Sequence, residues 1–339
     1  MTLPEANLEN ITTTIQAFTG RRVLLVGDLV ADHYMTGKSS RISREAPVLI
    51  LKYQTEHVIP GQAGNTAANI AALGGHAQLV GLIGRDTRGE QLYAALDSAN
   101  VNLQGIVRSE SGATLTKTRV LAGGRHTARQ QVIRIDDDER LEITPADRAA
   151  IHNAVKAAAD WAEAIIVSDY GYGVVDEQTW ELAREISQQK GIPLVLDSRY
   201  NLARWTGATL ITPNEEEALA AAGVQENRSV DIQDVGARLC EMTKCGHLII
   251  TRGNEGMVLF DRDAKPRHLP VFGSTECTDV TGAGDTVVAT ATLALASGAD
   301  PYLAMVISNL AGALVVMKLG TATTSQQEML ESLELVAPV

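Results

Sequence analysis

Residues 279–286 read Asp-Val-Thr-Gly-Ala-Gly-Asp-Thr, and an Ala- and Val-rich run (286–296) with the character of a buried helix follows at once. A glycine-rich turn that opens a helix directs several free amide N–H groups to one point, where the helix dipole also favours negative charge. Gly282, Ala283 and Gly284 therefore suggest an anion cradle, suited to a phosphoryl group in transfer. Asp285 would sit in the first helical turn, beside the cradled anion, and a carboxylate there repels a phosphate. A general base that takes a proton from an acceptor hydroxyl explains it. An acidic residue that merely complements the helix dipole explains it as well, and on this stretch alone the two readings stand level.

Such a turn needs a scaffold. Short, unalternated apolar runs at 21–28, 77–84, 162–169, 192–198, 208–214 and 246–253 each end in Gly, Asp, Asn or Arg, as strands buried on both faces do. Helical patterns lie between them at 65–73, 88–99, 145–162, 176–189, 214–222 and 230–243. The alternation predicts a mostly parallel, three-layer α/β sheet in one unit spanning residues 1–339. Ligands of open α/β sheets bind at the carboxyl ends of the strands, where Asp28, Asp169, Asp197, Asn214 and Arg252 would gather. Two stretches, 46–60 and 113–136, instead carry β-branched or alternating residues with charge between, as in strands with one wet face, and predict a small separate sheet.

Composition narrows the function classes. The chain has 339 residues, with 41 acidic against 29 basic residues and a net charge of −12, and the basic residues are scattered. Nucleic acid and anionic membranes are thereby disfavoured as partners. The three cysteines, Cys240, Cys245 and Cys277, form neither a CxxC pair nor a metal cluster. The first residues lack a signal-peptide pattern and no run approaches a membrane span, so a cytoplasmic protein is expected. Gly37, Lys38 and Ser39 imitate the end of a P-loop, but its first glycine would fall at Asp32; residues 32–40 are read as a loop. No GxGxxG follows the first strand, which removes the best support for dinucleotide redox chemistry.

The octet at 279–286 resembles the C-terminal signature of the ribokinase-like (PfkB) sugar kinases, and residues 60–75, "PGQAGNTAANIAALGG", resemble their N-terminal signature. "TPNEEE" (212–217) is similar to the family's Asn-x-x-Glu element. Within the family, "GDLVADHYMTGKSSRISREAPVLILKY" (27–53), "TKTRVLA" (116–122), "QQVIRID" (130–136) and "NLAGALVVMKLGTAT" (309–323) resemble the branch that phosphorylates the C1 hydroxyl of D-glycero-β-D-manno-heptose 7-phosphate in ADP-heptose synthesis.

The resemblance implies a ribokinase-like α/β/α core with a β lid formed by about residues 43–60 and 113–136. It implies Asp285 as base and the amides of Gly282, Ala283 and Gly284 as anion hole. Asp32, Gly61 and Asn65 would contact the sugar, and Lys117 and Arg119 an anionic sugar phosphate; a solvated strand face is the alternative for the last two. Asn214, Glu217, Thr251, Gly253 and Thr281 would serve ATP, with Glu217 near Mg²⁺ and a monovalent cation as a further candidate cofactor. Asn309 would lie near the adenine, or else be a helix-packing amide. His33 and His57 are read as exposed loop histidines.

Several residues depart from that branch. Gln62 replaces a signature glycine, "GGRHT" (123–127) reads as an insertion in the lid hairpin, Tyr172 stands where the branch has Lys, and "DSR" (197–199) replaces Asp-Pro-Lys. All border the expected sugar pocket. None of the histidines forms the His-x-Gly-His element of the nucleotidyltransferase that accompanies this kinase in bifunctional proteins, so phosphoryl transfer alone is expected. An apolar lid face carrying Val48, Ile50 and Val58 predicts a homodimer through the lid. A kinase for another sugar (a fructose, ribose or nucleoside acceptor) and a non-catalytic sugar-binding regulator on the same fold are the rival readings.

Overall fold

The computed structural model describes residues 7–123, 130–139, 141–224, 231–262, 264–273, 277–318 and 320–334. Its first part forms α1 (Leu8–Gln16), β1 (Arg22–Gly27), β2 (Leu29–Ile42), β3 (Leu49–Gln62), α2 (Ala63–Ala72), β4 (His76–Gly84), α3 (Thr87–Ser98) and β5 (Asn102–Ser109). The middle forms β6 (Thr116–Gly123), β7 (Gln130–Asp137), α4 (Pro145–Ala158), β8 (Ala164–Asp169), α5 (Glu177–Lys190), β9 (Leu194–Ser198) and β10 (Leu210–Ile211). The remainder forms α6 (Glu215–Ala221), α7 (Ile232–Thr243), β11 (His247–Thr251), β12 (Met257–Asp261), β13 (Arg267–Leu269), α8 (Ala283–Ala296), α9 (Pro301–Val315) and α10 (Gln326–Glu334).

Nine strands make the main sheet in the order β13-β12-β11-β10-β9-β8-β1-β4-β5. It is parallel from β11 to β5, while β12 and β13 add an antiparallel edge. Both faces are covered, which is why the strand sequences run apolar without alternating. Val23 and Leu25 of β1 pack toward α1, α2, α3, α8, α9 and α10, whereas Leu24 and Val26 pack toward α4, α5, α6 and α7. The chain winds outward from β1 through β4 to β5 and then returns to the other side of β1 as β8. That reversal opens a crevice at the carboxyl ends of β1 and β8, the place where doubly wound sheets take ligands.

The second sheet has the order β3-β2-β6-β7, packs against α2 and α3, and brings Asp32 near enough to Asp285 for their charges to interact. Here the structure corrects the reading of residues 32–40 as a loop, because β2 is a continuous strand paired antiparallel with β3 and parallel with β6. Its polar, turn-like composition gave the wrong signal, since ladders on both sides supply what local propensity does not. The lid thus begins at Leu29 rather than at residue 43. His33, also expected in a loop, is buried in β2 and hydrogen-bonded to Thr118 and Glu56. His57 is exposed, on β3, and stacks on Tyr34. Most of the expected insertion, residues 124–127, lies outside the described residues.

The apolar lid face differs in detail from the expected one. Val48 is exposed, but Ile50 is half-buried and Val58 packs against the main core. Ile42, Leu49, Tyr53, Val132, Ile133 and Ile135 carry the exposed apolar surface instead.

Candidate active site

The Gly-rich turn opens α8 as the sequence predicts. Gly282 adopts φ 80°, and a side chain there would come within 2.6 Å of Asn65 Nδ2, so both conformation and space require glycine. Of the three amides in the expected cradle, that of Ala283 already donates to Val280 O at 3.2 Å. Those of Gly282 and Gly284 have no partner among the described residues, and the space in front of Gly284 is open. Two amides therefore remain for an anion, together with the positive end of a 14-residue helix.

Asp285 sits in the first turn of α8 and is only 8% exposed. Asn65 Nδ2 donates to its Oδ2 at 2.6 Å; Thr66 Oγ1 and the Tyr170 hydroxyl lie 3.3 and 3.2 Å from Oδ1. Burial pushes its carboxyl up to about 6, against the pull of these hydrogen bonds. An acid that titrates there is ionised at neutral pH yet can take a proton, as a general base must. A cap residue would turn its carboxylate onto its own helix's amides. Asp285 instead turns to α2 and Tyr170, so it does not cap its own helix.

Acidic residues behind the cradle organise the loops. Asp28, fully buried after β1, accepts from the backbone N–H groups of Tyr170, Tyr172 and Val174 at 2.8, 3.1 and 3.1 Å, fixing the loop after β8. Burial nonetheless raises its carboxyl to about 6. Asp169 accepts from Trp205 Nε1, Ser198 Oγ, Asn201 Nδ2 and Gly171 N, so one carboxylate holds the ends of β8 and β9 together. Asp197 lies 3.1 Å from the Tyr170 hydroxyl and is held well above the ordinary carboxylate range by burial and by the charges of Asp285 and Glu217.

Across the crevice the lid presents Asp32, which pairs with Arg119 at 2.9 Å. Burial raises the Asp32 carboxyl, and Arg119 and Lys117 oppose that shift. A side chain at Gly61 would come 2.6 Å from Asp32 Oδ2, so the signature glycine leaves room for this carboxylate. Lys117 lies 5.8 Å from the Tyr172 ring centroid, and burial lowers its ammonium despite the nearby Asp32. Tyr172, whose hydroxyl is 3.3 Å from Asp138, is pushed up to about 12 by burial and remains a phenol. Gln62 has φ 53°, a conformation easy for the glycine it replaces, and its Oε1 is buried without a partner.

At the start of α6, Asn214 and Glu217 form a reciprocal cap: Asn214 N donates to Glu217 Oε2 at 2.9 Å and Glu217 N to Asn214 Oδ1 at 2.8 Å. Burial raises the Glu217 carboxyl, opposed by the Asn214 amide and Arg199. Glu217 is a hard oxygen donor, and among the described residues no group of three or more His, Cys, Asp or Glu could hold a metal alone. A carboxylate oxygen is the donor type that Mg²⁺ takes. Thr251 ends β11 against Pro213 O, Gly253 follows at φ 53°, and Thr281 donates to Asp279 through both N and Oγ1.

For Asn309, expected near the adenine or else as a helix-packing amide, the structure shows a packing contact. It is 5% exposed on α9, and its Nδ2 donates to Pro270 O at 2.7 Å, the work of a packing amide. Conversely Tyr170, Thr66 and the loop-holding role of Asp28 escaped sequence reasoning. A tyrosine one residue beyond a strand ending in Asp169 is a weak signal, and nothing local reveals that its hydroxyl reaches α8.

Comparison with known proteins identifies the family and the fold. The profile described as pfkB family carbohydrate kinase matches residues 21–328. Among curated relatives, the bifunctional protein HldE of Azorhizobium caulinodans is 37% identical over 320 residues, covering 93% of this chain and 65% of that protein. HldE of Caulobacter vibrioides is 38% identical over 317 residues, with 93% and 64% covered. The chain thus spans slightly less than two thirds of these relatives. Among solved structures, Arabidopsis thaliana ribokinase complexed with ribose and ATP superposes with TM-score 0.69 at 19% identity, covering 93% of this chain and 99% of that one. The phosphofructokinase-2 from Escherichia coli in complex with fructose-6-phosphate superposes with TM-score 0.72 at 19% identity, covering 93% and 100%. These likenesses show a ribokinase-like fold. With its family profile matched over nearly the whole chain and a buried carboxylate beside a glycine cradle, the protein belongs to the pfkB family of carbohydrate kinases, enzymes that move a phosphoryl group from ATP to a sugar.

Proposed function

We propose that this kinase phosphorylates a sugar phosphate, the C1 hydroxyl of D-glycero-β-D-manno-heptose 7-phosphate, with ATP and Mg²⁺. The observation that carries the chemistry is Asp285, buried and gripped by Asn65, Thr66 and Tyr170 at the mouth of the Gly282–Gly284 turn. As the sugar oxygen bonds to the γ-phosphorus, its proton passes to the Asp285 carboxylate, and the bond from the γ-phosphorus to the bridging oxygen breaks to release ADP. The free amides of Gly282 and Gly284 receive the charge on the transferring group. Mg²⁺ would be held with Glu217 and would neutralise phosphate charge when bound.

The finer assignment to a heptose phosphate is supported by the resemblance of the lid and the loop after β1 to that branch, and by relatives named as bifunctional HldE. Lys117 and Arg119 offer positive charge from the lid, although Arg119 is already paired with Asp32. That pairing and the strained Gln62 favour the second reading, a kinase for a sugar without a phosphate. ATP consumption with Mg²⁺ across heptose 7-phosphate, fructose 6-phosphate, fructose, ribose and adenosine separates them. Preference for the heptose phosphate supports the first reading, and preference for a neutral sugar moves the protein to another branch.

The protein works, in this reading, as a homodimer through the lid, whose Ile42, Leu49, Tyr53, Val132, Ile133 and Ile135 form an exposed apolar face. Light scattering after size exclusion that gives a monomer at micromolar concentration would count against it.

A further inference from the structure

We infer that Tyr170 is a positioning residue for the catalytic base: its hydroxyl fixes the Asp285 carboxylate and ties it to a second carboxyl, Asp197. The inference rests on the kinase reading of Asp285. One phenolic oxygen stands between two carboxyl groups, 3.2 Å from Asp285 Oδ1 and 3.1 Å from Asp197 Oδ2. A phenol has one proton and cannot donate to both. The arrangement is satisfied when Asp197 keeps its own proton and donates it to the Tyr170 oxygen, which frees the phenolic proton for Asp285. Burial and the charges of Asp285 and Glu217 favour that protonated Asp197.

Tyr170 is built to hold this position. Its backbone N–H is bound by Asp28 and that of Gly171 by Asp169, so the loop has two carboxylate anchors next to the ring. Burial and the two acidic neighbours push its own ionisation well above the usual tyrosine range, so it stays a donor. With Asn65 on Oδ2 and Tyr170 and Thr66 on Oδ1, the plane of the Asp285 carboxylate is set from two sides, leaving lone pairs for the substrate proton. The titratable groups facing Asp285 are Asp32 on the lid, itself paired with Arg119, and Asp197 on β9, which keeps its proton; α2 contributes the neutral Asn65 and Thr66. None of these donates a compensating positive charge directly, which makes each neutral hydrogen bond matter to the titration of Asp285.

The test is a ¹³C NMR titration of labelled aspartate side chains in the full chain, with the Asp285 signal identified as the one missing from Asp285→Asn. It is run beside the pH profile of kcat. Wild type should titrate near 6. Because the Tyr170 hydrogen bond favours the ionised form, Tyr170→Phe should raise the midpoint by about half a pH unit or more and carry the acid limb of kcat upward with it. KM for ATP should change less than about twofold, since only the base is touched. Site-specific 3-fluorotyrosine at 170, a stronger donor of the same shape, should move both midpoints down, and it decides the matter if the Phe variant fails to fold. An unmoved Asp285 midpoint overturns the proposal, and a moved midpoint with an unmoved kcat limb overturns its catalytic half. If wild type turns over no sugar at all, the kinase reading fails, while the titration still decides whether Tyr170 grips Asp285.

Discussion

Asp285 on the core and Asp32 on the lid are both buried carboxylates facing the same crevice, and the fold compensates them by opposite means. Around Asp285 the donors are neutral: an amide, a hydroxyl and a phenol. Around Asp32 the donor is the Arg119 guanidinium, 2.9 Å away. Neutral dipoles leave the core carboxylate with a pKa close to working pH, poised to exchange a proton. An ion pair on the lid neutralises charge in advance, so any substrate bound there would share or displace it. On the proposed function, chemistry is thus placed where charge is left unpaired, and recognition where it is already paired.

The sharpest way to break this contrast is Asp285→Asn, which should lower kcat by about 10³-fold, the usual scale for loss of a general base. ATP affinity by calorimetry should stay within about threefold, because no nucleotide contact is removed. A variant retaining a tenth of wild-type turnover would remove the base from this residue.

On the lid the expected penalty is structural. Arg119→Met leaves Asp32 buried without its counter-charge and should cost about 3 kcal/mol in urea unfolding. The double variant Asp32→Asn, Arg119→Met should recover most of that stability while KM for the sugar stays raised. Equal stability of the single and double variants would show that the pair is not what holds the lid charge.

Asp28 sharpens the comparison at the core. Its folded-state carboxyl lies near 6 against 3.8 for an unperturbed one, so the folded state binds the proton more tightly than the unfolded state. Its contribution to stability is therefore greatest below about pH 4, declines as pH rises through about 6, and is flat above. Over that window wild type should lose about 2 to 3 kcal/mol relative to Asp28→Asn. Denaturant unfolding at pH 4, 5, 6 and 8 reads the difference, and parallel curves for the two proteins would contradict the assigned shift.

The smallest effect is expected at the seam between the two regions. Gln62→Gly relieves the positive φ and the orphaned Oε1, against the backbone entropy that glycine adds to the unfolded chain. A net gain of about 1 kcal/mol is expected, and a loss of stability would mean that the Gln62 side chain contributes packing that outweighs the strain.

Much of the core was legible because its signals are local. Helix α8 begins at Ala283, where glycines give way to a continuous apolar run, and Asn214 and Glu217 announce the cap of α6 by their three-residue spacing. The apolar runs gave β1, β4, β8 and β11 within a residue or two because both faces of those strands are covered. Strand β2 was illegible for the converse reason, since its ladder partners lie in β3 and β6 and its own residues resemble a turn.

By itself, then, the sequence determined the family, the α/β alternation and the place of Asp285 just after a glycine-rich turn that opens a helix, all of which depend on residues close together in the chain. Tertiary structure alone decided which donors grip that base, since Asn65 lies 220 residues and Tyr170 115 residues from Asp285. It also paired Arg119 with Asp32 and committed Asn309 to Pro270. Hydrogen bonds and ion pairs act over a few ångströms in space and carry no mark in local periodicity, so only the folded chain reveals them.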